Sequence, residues 1–248
     1  MIHNIFTSPG SRPAGDSINV SGGNCLRAAS VRPPKFLLFT FQSDNQRPHR
    51  RPARRRYTAI EMVDHIRDAL ARHEPKRIER DGLAHAAVLI PIYLKDDVAH
   101  VIFQVRTELV EHHKGQISFP GGAEDPGDVD LLMTALRETE EEIGLAQEDV
   151  EVWGQLDDFV TISDFIVTPY VGRITKPAPY PFAPSGFEVA ELLEVPLSHL
   201  HHPSTRNEGP VPWREQVLPP PSYGFGEHVI WGATARILRQ FLDVARRG

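Results

Sequence analysis

Cysteine is nearly absent from this chain of 248 residues, where Cys25 stands alone. A lone thiol excludes an intramolecular disulfide framework and a cysteine zinc site, and it fits an intracellular, reducing, cytoplasmic setting. Long apolar runs are absent too. Phe36 to Phe41 is six residues long and contains Thr40, and even Ala86 to Leu94 reaches only nine, far short of the roughly 18 a membrane span requires, so a soluble chain with no membrane partner is predicted. There is no internal repeat. With 40% hydrophobic and 24% charged residues, fibrous and wholly disordered chains are excluded, and the length suits one large domain.

What is present is unevenly distributed. Residues 1–56 hold ten Arg/Lys against two Asp, a balance of +8, whereas residues 57–248 hold 17 basic and 31 acidic residues, a balance of −14. The first 56 residues mix Ser, Asn, Gly and Pro with arginine, show no sustained period, and end in Arg50, Arg51, Arg54, Arg55 and Arg56. They read as a disordered basic extension. Such a composition describes an organelle transit peptide or a strip that touches nucleic acid. It equally describes an inert solvated tail, or translated sequence upstream of a later start such as Met62. The acidic remainder does not look like a nucleic-acid surface.

From Thr58 to His73 the apolar positions Ile60, Val63, Ile66, Ala69 and Leu70 recur at helical spacing, ended by Pro75. Ala86 to Leu94 and Val98 to Val105 read as strands around a turn at Lys95-Asp96-Asp97, and Gln116 to Phe119 as a third short strand closed by Pro120-Gly121-Gly122. A helix is predicted from about Asp130 to Ile143, stopped by Gly144. Further strands are predicted at Val150 to Gln155, Ile166 to Ile174 and Phe187 to Val195, with long loops at Lys176 to Pro184 and His202 to Tyr223. A last helix follows from Ile230 to Ala245. Helices at irregular intervals among mixed strands predict an α/β sandwich, not a doubly wound parallel sheet.

On the helix at 130–143, Leu132, Ala135, Leu136, Thr139 and Ile143 form one stripe, and Thr134, Glu138, Glu141 and Glu142 the opposite one. Three carboxylates on one face repel one another unless a cation joins them. Clustered hard oxygens suit Mg²⁺ or Mn²⁺, with waters and phosphate oxygens completing the shell. Arg137 could grip one carboxylate through two hydrogen bonds. A Glu140-Glu141-Glu142 run also describes a solvated helix face.

The context resembles the signature of the Nudix hydrolases, a glycine-opened loop, helix and loop closed by Arg-Glu-x-x-Glu-Glu-x-Gly. Here the glycines are Gly121 and Gly122, and the closing motif is Arg137, Glu138, Thr139, Glu140, Glu141, Glu142, Ile143, Gly144. Asp128 stands where the family has Glu, one residue further from Arg137 than usual, and Thr139 occupies an apolar position. This expansion, with Asp125-Pro126, is similar to the coenzyme A pyrophosphatase branch of the family. That branch carries an upstream signature with the register Ile102, Phe103, Gln104, Val105, Arg106, Thr107, Glu111, Gly115, Phe119-Pro120-Gly121-Gly122. Gln104 and Thr107 are mild departures, and Glu111, beside His112, His113 and Lys114, reverses the charge of the signature's second arginine. The resemblance runs over about residues 58–245.

The resemblance implies a Nudix fold over residues 57–248, a mixed β-sheet sandwiched between helices. It also implies metal-dependent hydrolysis of coenzyme A or its derivatives to 3′,5′-ADP and 4′-phosphopantetheine. Glu138 and Glu142 become the principal metal ligands, with Glu141 a further ligand or the base that takes a proton from water. Arg137 supports them, Gly121 and Gly122 let backbone approach a phosphate, and Glu188 reaches the metals from across the site or is an exposed strand residue. Arg106 either pairs with a substrate phosphate or closes a surface ion pair. Phe119, Phe159 and Phe165 read as core more than as base-stacking residues, and Trp231, His199, His201 and His202 as packing and surface. The rival substrates are ADP-ribose, dinucleoside polyphosphates and an oxidised nucleotide. A non-catalytic nucleotide-binding module and an RNA-directed enzyme anchored by the tail are the rival classes, and dimerisation is left open.

Overall fold

The structure is a computed structural model that describes residues 58–107, 115–213 and 216–247. The predicted disordered extension and Glu111 with its histidine and lysine neighbours lie outside the described residues.

Helix α1 (Ala59–Ala71) begins at a capping box, in which the Thr58 side chain accepts from the Glu61 N–H and the Glu61 carboxylate accepts from the Thr58 N–H. Strands β1 (Ala84–Lys95) and β2 (Val98–Arg106) follow as a hairpin, then the short β3 (Ile117–Ser118) and β4 (Gly121–Ala123). Helix α2 (Leu131–Ile143) is capped by Asp130 and ends at Gly144, which takes the left-handed conformation. The sheet is completed by β5 (Val150–Gln155), β6 (Phe159–Val160), β7 (Phe165–Ile174) and β8 (Val189–Pro196). A one-turn helix α3 (Leu197–Leu200) leads to β9 (Arg206–Asn207), β10 (Val211–Trp213), β11 (Gln216–Leu218), β12 (Ser222–Phe225) and β13 (His228–Ile230), and helix α4 (Gly232–Ala245) closes the described chain.

The sheet is mixed: β1 runs parallel to β7 and antiparallel to β2 and β4. Strand β1 shows why its sequence is continuously apolar. Ala86, Val88, Ile90 and Ile92 pack into the core shared with α1 and α4, while Ala87, Leu89 and Tyr93 pack into the core shared with α2. A strand covered on both faces has no solvent side to fill with polar residues. The mixed sheet between helices is the predicted architecture.

Strands β1 and β2 pair only near their turn, from Ile92↔Val101 to Lys95↔Val98. Beyond that point they part, β1 pairing with β4 and β2 with β3. Pro91 lies at this fork. The Leu89 N–H bonds toward the β4 side, to the Pro120 carbonyl at 2.9 Å, so the N–H of residue 91 would point into the fork, where the missing donor of a proline costs nothing. On the far edge of β2, β8 pairs so that Val189 lies opposite Arg106.

Three predictions are corrected. The stretch His202–Tyr223 is not a plain loop, since β9, β10 and β11 lie within it and β12 begins there. Strands of two to four residues are too short to display a two-residue period. The last helix starts at Gly232: Ile230 ends β13, and Trp231, buried, is the helix cap and not part of the helix. Phe187 is exposed and precedes β8, which begins at Val189.

Candidate active site

The site is built where α2 crosses the fork between β1 and β2. Among the three candidate glutamates the structure separates two kinds. Glu138 and Glu142 are 5% and 3% exposed, whereas the Glu141 side chain is 58% exposed. The predicted polar stripe is therefore not one solvent-facing surface. Thr134, Glu138 and Glu142 turn inward beside Ala135, Thr139 and Ile143, and Thr139, fully buried, satisfies its hydroxyl by donating to the Ala135 carbonyl at 2.6 Å.

The glycines of β4 make that burial possible. A Cβ on Gly122 would stand 2.4 Å from the Glu138 carboxyl carbon, and one on Gly121 would stand 2.2 Å from the Ala87 carbonyl oxygen, with φ at +144°. The Gly121 N–H donates to Glu142 Oε2 at 2.8 Å. The close approach predicted for a phosphate is made here to two carboxylates. Gly122→Ala is expected to push the Glu138 carboxylate aside and lower turnover about 100-fold, with the melting temperature nearly unchanged because only the end of a side chain must move. Paired activity and thermal melts check this. Gly121→Ala meets backbone in a left-handed conformation, and fails to fold.

Glu142 Oε2 also accepts from Gln104 Nε2 at 2.8 Å, while Oε1 faces Arg106 Nη1 at 3.8 Å. Burial pushes the Glu142 carboxyl up to about 8, against the pull of the Gly121 N–H, Gln104 and Arg106, with Glu138 pushing further. Burial likewise raises Glu138, opposed by Arg137 and reinforced by Glu141 and Glu188. Glu188 therefore sits within electrostatic reach of Glu138. Its carbonyl accepts from the Thr107 N–H at 2.9 Å, which ties the turn before β8 to the end of β2.

Arg137 does grip a carboxylate through two hydrogen bonds, and the partner is Asp128. Nε and Nη2 meet its two oxygens at 2.9 Å each, while Nη1 gives Glu138 a single bond at 2.8 Å and lies 3.5 Å from Glu141. The Asp125 N–H and the Thr134 hydroxyl also donate to Asp128. A turn from Asp125 to Asp128 carries the shorter side chain, one residue further along, to the same arginine.

Arg106 is neither at a surface ion pair nor free. Its guanidinium is mostly buried beside Glu142, and Nε has no partner among the described residues. Phe119 and Phe165 are core, Phe119 stacking on Phe103, and Phe159 is half-buried beneath Arg236. His199 and His202 bond local groups, the Gly224 carbonyl and Ser204. Gln104 and Asp128, which the signatures mark only as departures without a role, both contribute to the site. Gln104 lies two residues before Arg106 on the same strand face, and that spacing was the available signal.

Among the described residues no three His, Cys, Asp or Glu side chains form a ready-made metal cage. The donor set nonetheless fits a hard divalent cation. Glu138 and Glu142 are carboxylates whose charge burial disfavours, and Gln104 Oε1 is a buried acceptor with no partner among the described residues. Mg²⁺ is held by one or two carboxylates plus waters and phosphate oxygens, not by a full protein cage.

Residues 83–209 match the NUDIX domain family model. The chain is 38% identical over 166 residues to a protein named Uncharacterized Nudix hydrolase NudL from Photorhabdus laumondii, covering 67% of this chain and 87% of that protein. It is 36% identical over 171 residues to Mitochondrial coenzyme A diphosphatase NUDT8 from Homo sapiens, covering 66% of this chain and 71% of that protein. Among solved structures it is similar to a MutT/nudix family protein from Enterococcus faecalis, 17% identical with a TM-score of 0.47, covering 68% of this chain and 64% of that one. With its family model matched across the fork, α2 and β8, this chain belongs to the Nudix hydrolases.

Proposed function

We propose that the chain hydrolyses the pyrophosphate of coenzyme A or its thioesters, using Mg²⁺ or Mn²⁺, to 3′,5′-ADP and 4′-phosphopantetheine or its acyl form. The observation that carries the metal-dependent reading is the pair of buried carboxylates, Glu138 and Glu142, one helical turn apart at the β1–β2 fork. The substrate reading is supported by the upstream signature through Arg106 and Phe119-Pro120-Gly121-Gly122, and by similarity to a relative named for coenzyme A diphosphatase activity.

Glu138 and Glu142 would hold the cation, and Glu141, with its side chain in solvent, would join them or take the proton from the attacking water. When bound, the cation neutralises pyrophosphate charge and lowers the pKa of water. The water oxygen bonds to one phosphorus, the bond from that same phosphorus to the bridging oxygen breaks, the bridging oxygen leaves with the other phosphate, and the water proton passes to a carboxylate. Arg137 holds Glu138 in orientation. Arg106, 3.8 Å from Glu142, would turn its guanidinium to a phosphate oxygen, and Glu188, within electrostatic reach of Glu138, would serve as an auxiliary carboxylate. Residues 1–56 are assigned as a basic extension outside the catalytic domain of residues 57–248.

The test is incubation of the purified chain with coenzyme A, acetyl-coenzyme A, ADP-ribose and a dinucleoside polyphosphate, with metal and with chelator, products being identified by mass spectrometry. Metal-dependent release of 3′,5′-ADP from coenzyme A is expected. Cleavage of another substrate alone overturns the substrate assignment, and no cleavage of any by folded protein brings forward a nucleotide-binding module. The activity is assigned to the cytoplasm. The second reading, import into an organelle through the arginine-rich residues 1–56, is favoured by the name of the human relative.

A further inference from the structure

We infer that Gln104 is a positioning residue for the divalent cation: its amide fixes the rotation of the Glu142 carboxylate so that Oε1 is kept for the metal. The inference rests on the metal-dependent reading above and concerns a residue at which this chain departs from the upstream signature.

Gln104 is 1% exposed on β2. Its Nε2 donates to Glu142 Oε2 at 2.8 Å and to Ser118 Oγ at 3.3 Å. The Gly121 N–H, from the other side of the fork, donates to the same Oε2 at 2.8 Å. Two donors on one oxygen define how the carboxylate is turned. The other oxygen, Oε1, has Arg106 Nη1 at 3.8 Å, beyond hydrogen-bond reach, so its lone pairs are the ones presented to a ligand. The amide is oriented by the same chemistry, since reversing it would set Gln104 Oε1 against a carboxylate oxygen. In the orientation observed, that Oε1 is buried without a partner among the described residues, an acceptor of the kind that takes a hydrogen bond from a metal-bound water. Removal of such an outer partner of a metal ligand typically weakens metal binding or activity 10–100-fold.

Calorimetric titration of the full chain with Mn²⁺ in the absence of substrate tests this, for the wild type, for Gln104→Met, of equal length but with no donor, and for Gln104→Ala, smaller and likewise with no side-chain donor. The expected result is a loss of Mn²⁺ affinity of about 10-fold or more in both variants, a matching rise in the metal needed for half-maximal turnover, and an unchanged substrate KM at saturating metal. Wild-type Mn²⁺ affinity in either folded variant overturns the inference, including the case where only thermal stability falls. A wild type that binds no Mn²⁺ overturns the metal-dependent reading itself, which separates the two failures.

Discussion

Glu142→Gln is expected to lower turnover more than about 100-fold while leaving the chain folded, because the loss of a metal ligand exceeds the 10–100-fold loss seen for outer partners. Local geometry decides the outcome. The Gly121 N–H and Gln104 Nε2 both donate to Oε2, so the new amide must leave its oxygen there. Its NH₂ then occupies the position of Oε1, facing the Arg106 guanidinium and any cation with protons instead of lone pairs. The folded state loses little, because the charge removed is one that burial disfavours. With its folded value pushed to about 8 from 4.5, Glu142 binds a proton more tightly in the folded chain than in the unfolded one. Metal-free wild-type stability is therefore expected to fall as pH rises between those values, a slope Glu142→Gln lacks. Turnover with metal, and urea melts with chelator at pH 5 and pH 8, check both halves. Near-normal turnover removes Glu142 from the mechanism.

Arg137→Met is expected to cost about 3–5 kcal/mol of stability, the usual consequence of leaving a buried charge without its partner. The charge is Asp128, whose side chain is 2% exposed and receives both parallel bonds from the guanidinium. Asp128→Asn in the same chain removes that charge and is expected to restore much of the stability, which a double-mutant cycle measures as coupling. It is not expected to restore turnover, since Glu138 still lacks the 2.8 Å bond that orients it. The arginine also holds the Asp128 carboxyl well below the usual carboxylate range. Its stabilisation is fully present above the unfolded value of about 3.9 and is lost as pH falls through the lowered one. Acid unfolding of the wild type is accordingly expected to be steeper than that of Asp128→Asn, and additive stability losses in the cycle would remove the pair from this account.

The first expectation depends on partners 38 and 21 residues away in sequence, the second on one only nine residues away. The elements themselves were largely legible. Val150–Gln155 is a strand at the predicted residues, and β1, β2 and β7 extend the predicted runs by one or two. Helix α2 begins one residue after its predicted start and stops at the predicted glycine. These are elements whose apolar period spans at least several residues. The strands from β9 to β13 were not legible, because two to four residues carry no period, even though they pair only with one another.

The sequence by itself determined the helix with three glutamates, the glycines before it, the register of both signatures and the α/β class, because each is a matter of local spacing. Tertiary structure decided which glutamates are buried and which is exposed, that Arg137 turns to Asp128, and that Gln104 and the Gly121 N–H converge on one oxygen of Glu142. Burial and hydrogen bonding depend on what lies opposite a side chain. Opposite α2 lie the parting of β1 from β2 and two residues without a Cβ, which is where the carboxylates find room.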